Sequence, residues 1–195
     1  MTEWRAVWAR WVKPVSIAVA LLGAGCATSP PPAYPARPAS DYALSITQDG
    51  VTVAIEPMPE PERCERHFAT DLAESDILPV FVAVENRNPA SLLLLRFRAR
   101  ITVVGSSFAP PPLVVYSMRA VTSHRSLVLH QLEASELLDV TLSPGEVTSG
   151  FRYFHLKDVP NGPQQLSLEV ALTDLATRAT RTLSLAFPWQ RQPRS

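Results

Sequence analysis

From Leu92 to Val104 the chain alternates. Leu93, Leu95, Phe97, Ala99, Ile101 and Val103 fall on one side of an extended backbone, and Arg96, Arg98, Arg100 and Thr102 fall on the other. A helix would scatter these residues around its circumference, so the segment is predicted to be a long, half-buried β-strand. The same period of two runs through much of the chain. Ala43 to Gln48 and Val51 to Glu56 flank Asp49-Gly50, a dipeptide suited to tight hairpin turns, and Val51, Val53 and Ile55 share a face. Ile77 to Glu85 is apolar at nearly every position, as expected of a central strand covered on both faces, and Asn86 to Pro89 ends it as a turn. Phe151, Tyr153 and His155 lie on one face of a segment from Thr148 to Leu156, after a turn at Ser143-Pro144-Gly145-Glu146. Leu166, Leu168, Val170 and Leu172, and then Leu183, Leu185 and Phe187, complete the pattern.

Two stretches break it. Residues 62–76 lose the alternation, and Phe68 with Leu72 suggests one or two turns of helix; Leu113 to Met118 fits a further strand. Residues 123–140 carry Leu127, Val128, Leu132 and Leu137 at spacings that suit a helix no better than an irregular segment. Strands at this spacing with turn signals between them predict a mainly β protein: an antiparallel β-sandwich, immunoglobulin-like, with one or two short helices, spanning residues 42–190.

The N-terminus has a different character. Arg5, Arg10 and Lys13 precede an uncharged run from Val15 to Gly25 that is too short to span a bilayer, for which about 20 apolar residues are needed. A positive region, an apolar region and small residues describe a secretory signal over residues 1–25. Leu21-Leu22-Gly23-Ala24-Gly25-Cys26 resembles the lipobox of bacterial lipoproteins, with Gly23 standing where that family has leucine and Leu22 one residue early. The resemblance implies that Cys26 is the lipidation site and mature N-terminus, and that acyl chains of the palmitate type anchor the protein in a membrane. In that family an aspartate after the cysteine signals inner-membrane retention. Ala27 stands there, which points to the periplasmic face of the outer membrane. Residues 26–41 are rich in proline; at about 3.1 Å per residue they form a semi-rigid tether of roughly 45 Å at most. Ile77 to Arg87, and Leu142-Ser-Pro-Gly-Glu146 with Gly150-Phe-Arg-Tyr-Phe154, resemble stretches of uncharacterised bacterial lipoproteins with such sandwiches, a resemblance that implies no activity.

Composition narrows the function classes. Without residues 1–25, 15 basic groups face 17 acidic ones, so the basic excess of a nucleic-acid binder is absent. With Cys26 lipidated, Cys64 is the one remaining thiol and no internal disulfide forms. Cys64-Glu-Arg-His67 sets a thiol and an imidazole three residues apart, a start for a metal or thiolate site, for an intermolecular disulfide, or simply a cysteine beside a surface histidine. The sequence holds no Gly-x-Ser-x-Gly elbow, no His-Glu-x-x-His helix and no phosphate-cradling loop. No catalytic residue, metal ligand or cofactor is assigned. Arg96, Arg98 and Arg100 would stand about 7 Å apart on one strand face, a stripe suited to phosphates or carboxylates, or else a solvated face paired with cross-strand acids. The expectation is a non-enzymatic envelope module, tethered to the membrane by lipid, that binds or scaffolds another envelope protein or an anionic envelope component. The alternatives are a periplasmic hydrolase with a loop-built site drawing on His124, His130 or His155, and carriage of a small ligand in an internal cavity.

Overall fold

Asp49 and Gly50 both take positive φ, 49° and 74°. This combination turns the chain in two residues with the twist of a hairpin. In the computed structural model, which describes residues 34, 37–110, 112, 113, 115–118 and 126–191, this turn joins β1 (Leu44–Gln48) to β2 (Val51–Pro57), with Gln48 opposite Val51. The signal segment, Cys26, Ala27 and His124 lie outside the described residues.

Pro61 at the first turn opens α1 (Pro61–Phe68), and Ala69, in the left-handed conformation, closes it. There follow β3 (Ile77–Asn86), β4 (Leu92–Val103), β5 (Pro112–Leu113), α2 (Val115–Met118) and α3 (Ser126–Ser135). The chain continues through β6 (Val140–Leu142), β7 (Val147–His155), β8 (Gln164–Asp174) and β9 (Thr180–Trp189). All strand pairs are antiparallel. They build one sheet in the order β1-β2-β3-β7-β5 and a second in the order β6-β4-β8-β9. The two sheets form an antiparallel β-sandwich, and the chain crosses between them at each step from β3 to β8. Among the described residues no helix is long and apolar enough to cross a membrane.

The unbroken apolar run of β3 has a simple cause. Leu78, Val80, Val82 and Val84 face the second sheet, while Ile77, Phe81 and Ala83 face a second cluster with Cys64 and Phe68 of α1, Val115 and Met118 of α2, and Leu129 and Leu132 of α3. The first sheet is therefore covered on both sides, by strands on one and by helices on the other. Burying each Val, Leu or Phe of this kind contributes about 1.5–3 kcal/mol, which the two clusters sum without any covalent cross-link. On β8 and β9, Leu166, Leu168, Val170, Leu172, Leu183, Leu185 and Phe187 all point inward as the alternation required.

Three expectations are corrected. The long strand β4 does not keep one phase: Leu92 and Leu94 are buried, then Ala99, Ile101 and Val103, whereas Leu93 and Leu95 are half-buried and Phe97 is 59% exposed. The chain advances from Leu94 to Ala99 while its partner advances only from Leu172 to Val170, a bulge that swaps the strand's faces. Residues 92–95 are all leucine and carry no phase, so the switch leaves no mark in the sequence. The segment 113–118 gives only the end of β5 before turning into α2, and residues 126–135 resolve the open alternative as helix α3. Finally, Ala39 is fully buried and Tyr34 packs against Phe81 and Phe151, so part of the expected tether lies on the sandwich.

Candidate functional site: the bulged face of β4

The bulge is held from below by a buried ion pair. After α3 the chain passes directly over β7: the Leu137 N–H donates to the Phe151 carbonyl at 2.9 Å, and Glu136 bridges to Phe151. Gly150 permits this approach, because a Cβ there would lie 2.7 Å from the Leu137 Cα and N. Glu136 is thereby set over Arg152, whose Nη1 donates to Glu136 Oε1 at 2.9 Å; the two side chains, Arg152 and Glu136, are 1% and 6% exposed. Burial draws the Arg152 guanidinium below its ordinary pKa and Arg96 adds repulsion, while Glu136 opposes both. The other carboxylate oxygen of Glu136 reaches Arg96 Nη1 at 3.5 Å. The Arg96 backbone N–H donates to Asp139 Oδ1 at 2.6 Å, which pins the bulge to the segment leading into β6.

The arginines of the expected stripe thus have different situations. Arg96 is engaged by Glu136. Arg100 pairs across the strands with its register partner Glu169, Nη2 to Oε2 at 3.0 Å. Arg98 reaches only hydroxyls, Thr173 Oγ1 at 3.2 Å and Thr180 Oγ1 at 3.5 Å, and its guanidinium stands 5.9 Å from the Phe97 ring centroid. Among the described residues no carboxylate forms an ion pair with Arg98. Phe97, which the unbroken alternation placed in the core, is instead beside it in solvent, and Leu138, next to Asp139, is 61% exposed. Sequence reasoning missed Phe97, Leu138 and the Glu136–Arg152 pair. The one available signal was Gly150 inside a strand pattern, a mark of close backbone approach.

The other candidates are dispersed. His130 is exposed on α3, with Nδ1 3.6 Å from Glu133, and His155 lies across from Ile77 at the end of β7. Among the described residues no group of three or more His, Cys, Asp or Glu side chains is placed to hold a metal ion. Cys64 is fully buried and donates its S–H to the Met58 carbonyl at 3.4 Å, while His67 packs against the rings of Tyr34, Phe68 and Phe151. Burial, with Asp71 adding repulsion, pushes the Cys64 thiol up to about 12. A protonated, enclosed thiol is a poor nucleophile. Cys64 in the folded protein is therefore expected to resist alkylation by iodoacetamide over hours at pH 8 and to react within minutes in urea. Mass spectrometry reads this directly, and equal labelling in both conditions would contradict the burial.

A cleft beside Trp189 is lined by Pro59, Asp76, Leu156 and Arg191, among others, and offers about 30 Å³. Ligand pockets run to roughly 300–1,000 Å³. This cleft suits water, and Arg191 fills its polar side by pairing with Asp76 at 2.5 Å and donating to the Leu156, Lys157 and Val159 carbonyls.

No family model and no curated protein matches the chain. Among solved structures it is similar to the yjhA protein from Bacillus subtilis, at 11% identity over 74% of this chain and 97% of that one, with a TM-score of 0.43. It is also similar to ycdA from Bacillus subtilis subsp. subtilis str. 168, named a "putative lipoprotein", at 14% identity over 72% of this chain and 38% of that one, with a TM-score of 0.41. The FixG-related protein from Vibrio parahaemolyticus gives 11% identity over 72% and 96% of the two chains, with a TM-score of 0.39. Each TM-score lies below 0.5, and these likenesses carry no argument about what the chain does.

Proposed function

We propose that this protein is a lipid-anchored, non-enzymatic envelope module, held by Cys26 at the periplasmic face of the outer membrane, that binds an acidic partner protein at the bulged face of β4. The observation that carries the reading is the pair Phe97 and Arg98: an exposed aromatic ring 5.9 Å from a guanidinium with no carboxylate of its own among the described residues. Aromatic and arginine side chains dominate the energetics of contact surfaces. The buried Glu136–Arg152 pair and the Asp139 hydrogen bond hold the bulge in one shape, so a partner meets a preformed surface. An acidic partner supplies the carboxylate that Arg98 lacks.

Pull-down from solubilised envelopes with the full mature chain tests the reading. Arg98→Glu is expected to lower capture of the acidic partner at least about tenfold, the scale of one lost charge-assisted contact made repulsive. Arg100→Glu, at a position already paired with Glu169, is expected to change capture by less than about threefold. Unchanged capture by Arg98→Glu would remove the proposal.

A further inference from the structure

Tyr34 is seated in a cleft whose walls are also tied to one another. Its ring lies 4.5 Å from the Phe81 centroid, 5.2 Å from Phe151 and 5.1 Å from His67, the last two edge to face. Its hydroxyl accepts a hydrogen bond from Arg63 Nη2 at 3.0 Å and bonds Glu56. The walls are tied to one another independently. Glu56 pairs with Arg63 at 2.7 Å and with Arg37 at 3.2 Å; Phe81 packs on Phe151 at 5.2 Å, and Phe151 on Phe68 at 5.0 Å. Phe81 and Phe151 belong to β3 and β7, and Arg63 and His67 to α1, all anchored by the apolar cluster beneath. Tyr34 itself is only half-buried. The walls are a box of rings with a carboxylate–guanidinium fork at its end, built on a sheet and a helix.

We propose that this cleft is a binding site for the phenol side chain of a tyrosine in an extended peptide segment, occupied at rest by Tyr34 and exchangeable with a tyrosine supplied by a partner. The rings select an aromatic side chain, and the fork selects a hydroxyl over a bare phenyl, because Arg63 donates to the oxygen and Glu56 accepts its proton. Burial against this carboxylate holds the Tyr34 phenol up at about 12, so it stays protonated at neutral pH and can donate to Glu56. As part of the same chain, Tyr34 competes at an effective concentration in the millimolar range, so exchange needs a partner that is tight or itself tethered.

The test uses the full mature chain and a synthetic peptide of residues 27–38 supplied in trans. Tyr34→Ala, checked for an unchanged circular dichroism spectrum, is expected to bind this peptide saturably. A peptide with phenylalanine in place of the tyrosine should bind about tenfold more weakly, and one with alanine should show no saturation. In the wild-type chain carrying 3-fluorotyrosine, the Tyr34 fluorine signal is expected to shift toward its free value only when the peptide reaches millimolar concentration. Tyr34→Phe, which retains the ring, keeps the measurement usable if the alanine variant unfolds. Here the same peptide should displace the phenylalanine at about tenfold lower concentration than it displaces Tyr34. Equal binding of the tyrosine and alanine peptides, or a Tyr34 signal that excess peptide leaves in place, would overturn the proposal.

Discussion

Replacing Glu136 by alanine is expected to destabilise the protein by about 3–5 kcal/mol, because it leaves the Arg152 guanidinium, 1% exposed, without its counter-charge. The cost is set by what remains rather than by what is lost: a buried cation that can neither reach water nor readily give up its proton. The remedy follows from the same physics. Combining Glu136→Leu with Arg152→Met takes both charges away and is expected to recover most of the loss, as buried ion pairs exchanged for apolar residues commonly do. The pair Arg100–Glu169 is the control. With Arg100 63% exposed, Glu169→Ala should change stability by less than about 1 kcal/mol. Urea unfolding monitored by tryptophan fluorescence reads all three, and a Glu136→Ala midpoint within error of wild type would show that the pair is solvated.

The second large effect is expected at Gly150. A methyl group there meets the backbone of Leu137 at 2.7 Å, and backbone, unlike a side-chain end, cannot swing away. Gly150→Ala is expected to cost about 1–3 kcal/mol or more, as overpacking does. It also pushes the 136–137 segment off β7, which lengthens the bond from Leu137 N–H to the Phe151 carbonyl and loosens Glu136 from Arg152. Gly145 offers the contrast. Its φ is +84° and the space a methyl group would take is open to 4 Å, so alanine there meets backbone strain of about 1 kcal/mol and no clash. Thermal unfolding should rank Gly150→Ala well below Gly145→Ala, with the bulged face of β4 affected only by the first.

Much of this architecture was legible because short-range physics decided it. Asp49-Gly50 admits few conformations besides a tight turn, and the apolar run of β3 needs cover on both faces wherever it sits. What escaped was whatever depended on tertiary register. In β4 four consecutive leucines conceal the phase, so the bulge that brings Phe97 out and frees Arg98 could not be located. On β7 an arginine between Phe151 and Tyr153 reads as the wet side of a half-buried strand; that side, shared with Phe154, in fact faces the second sheet, and the segment at residues 136–137 gives Arg152 its partner there. In the proline-rich segment, composition describes a spacer, while the fit of one tyrosine among Phe81, Phe151 and His67 depends on three distant elements meeting. The candidate surface is thus built from residues whose types were visible and whose placement was not.

In the proposed function the bulged β4 face touches a partner through Phe97 and Arg98. Photo-crosslinking in intact cells tests it most directly, with benzoylphenylalanine in place of Phe97 and, as control, in place of Glu65 on the exposed side of α1. A discrete adduct from position 97, none at 65, and its loss when Arg98→Glu is added, is the predicted result. An adduct pattern shared by both positions, or one at 97 that Arg98→Glu leaves intact, would contradict it.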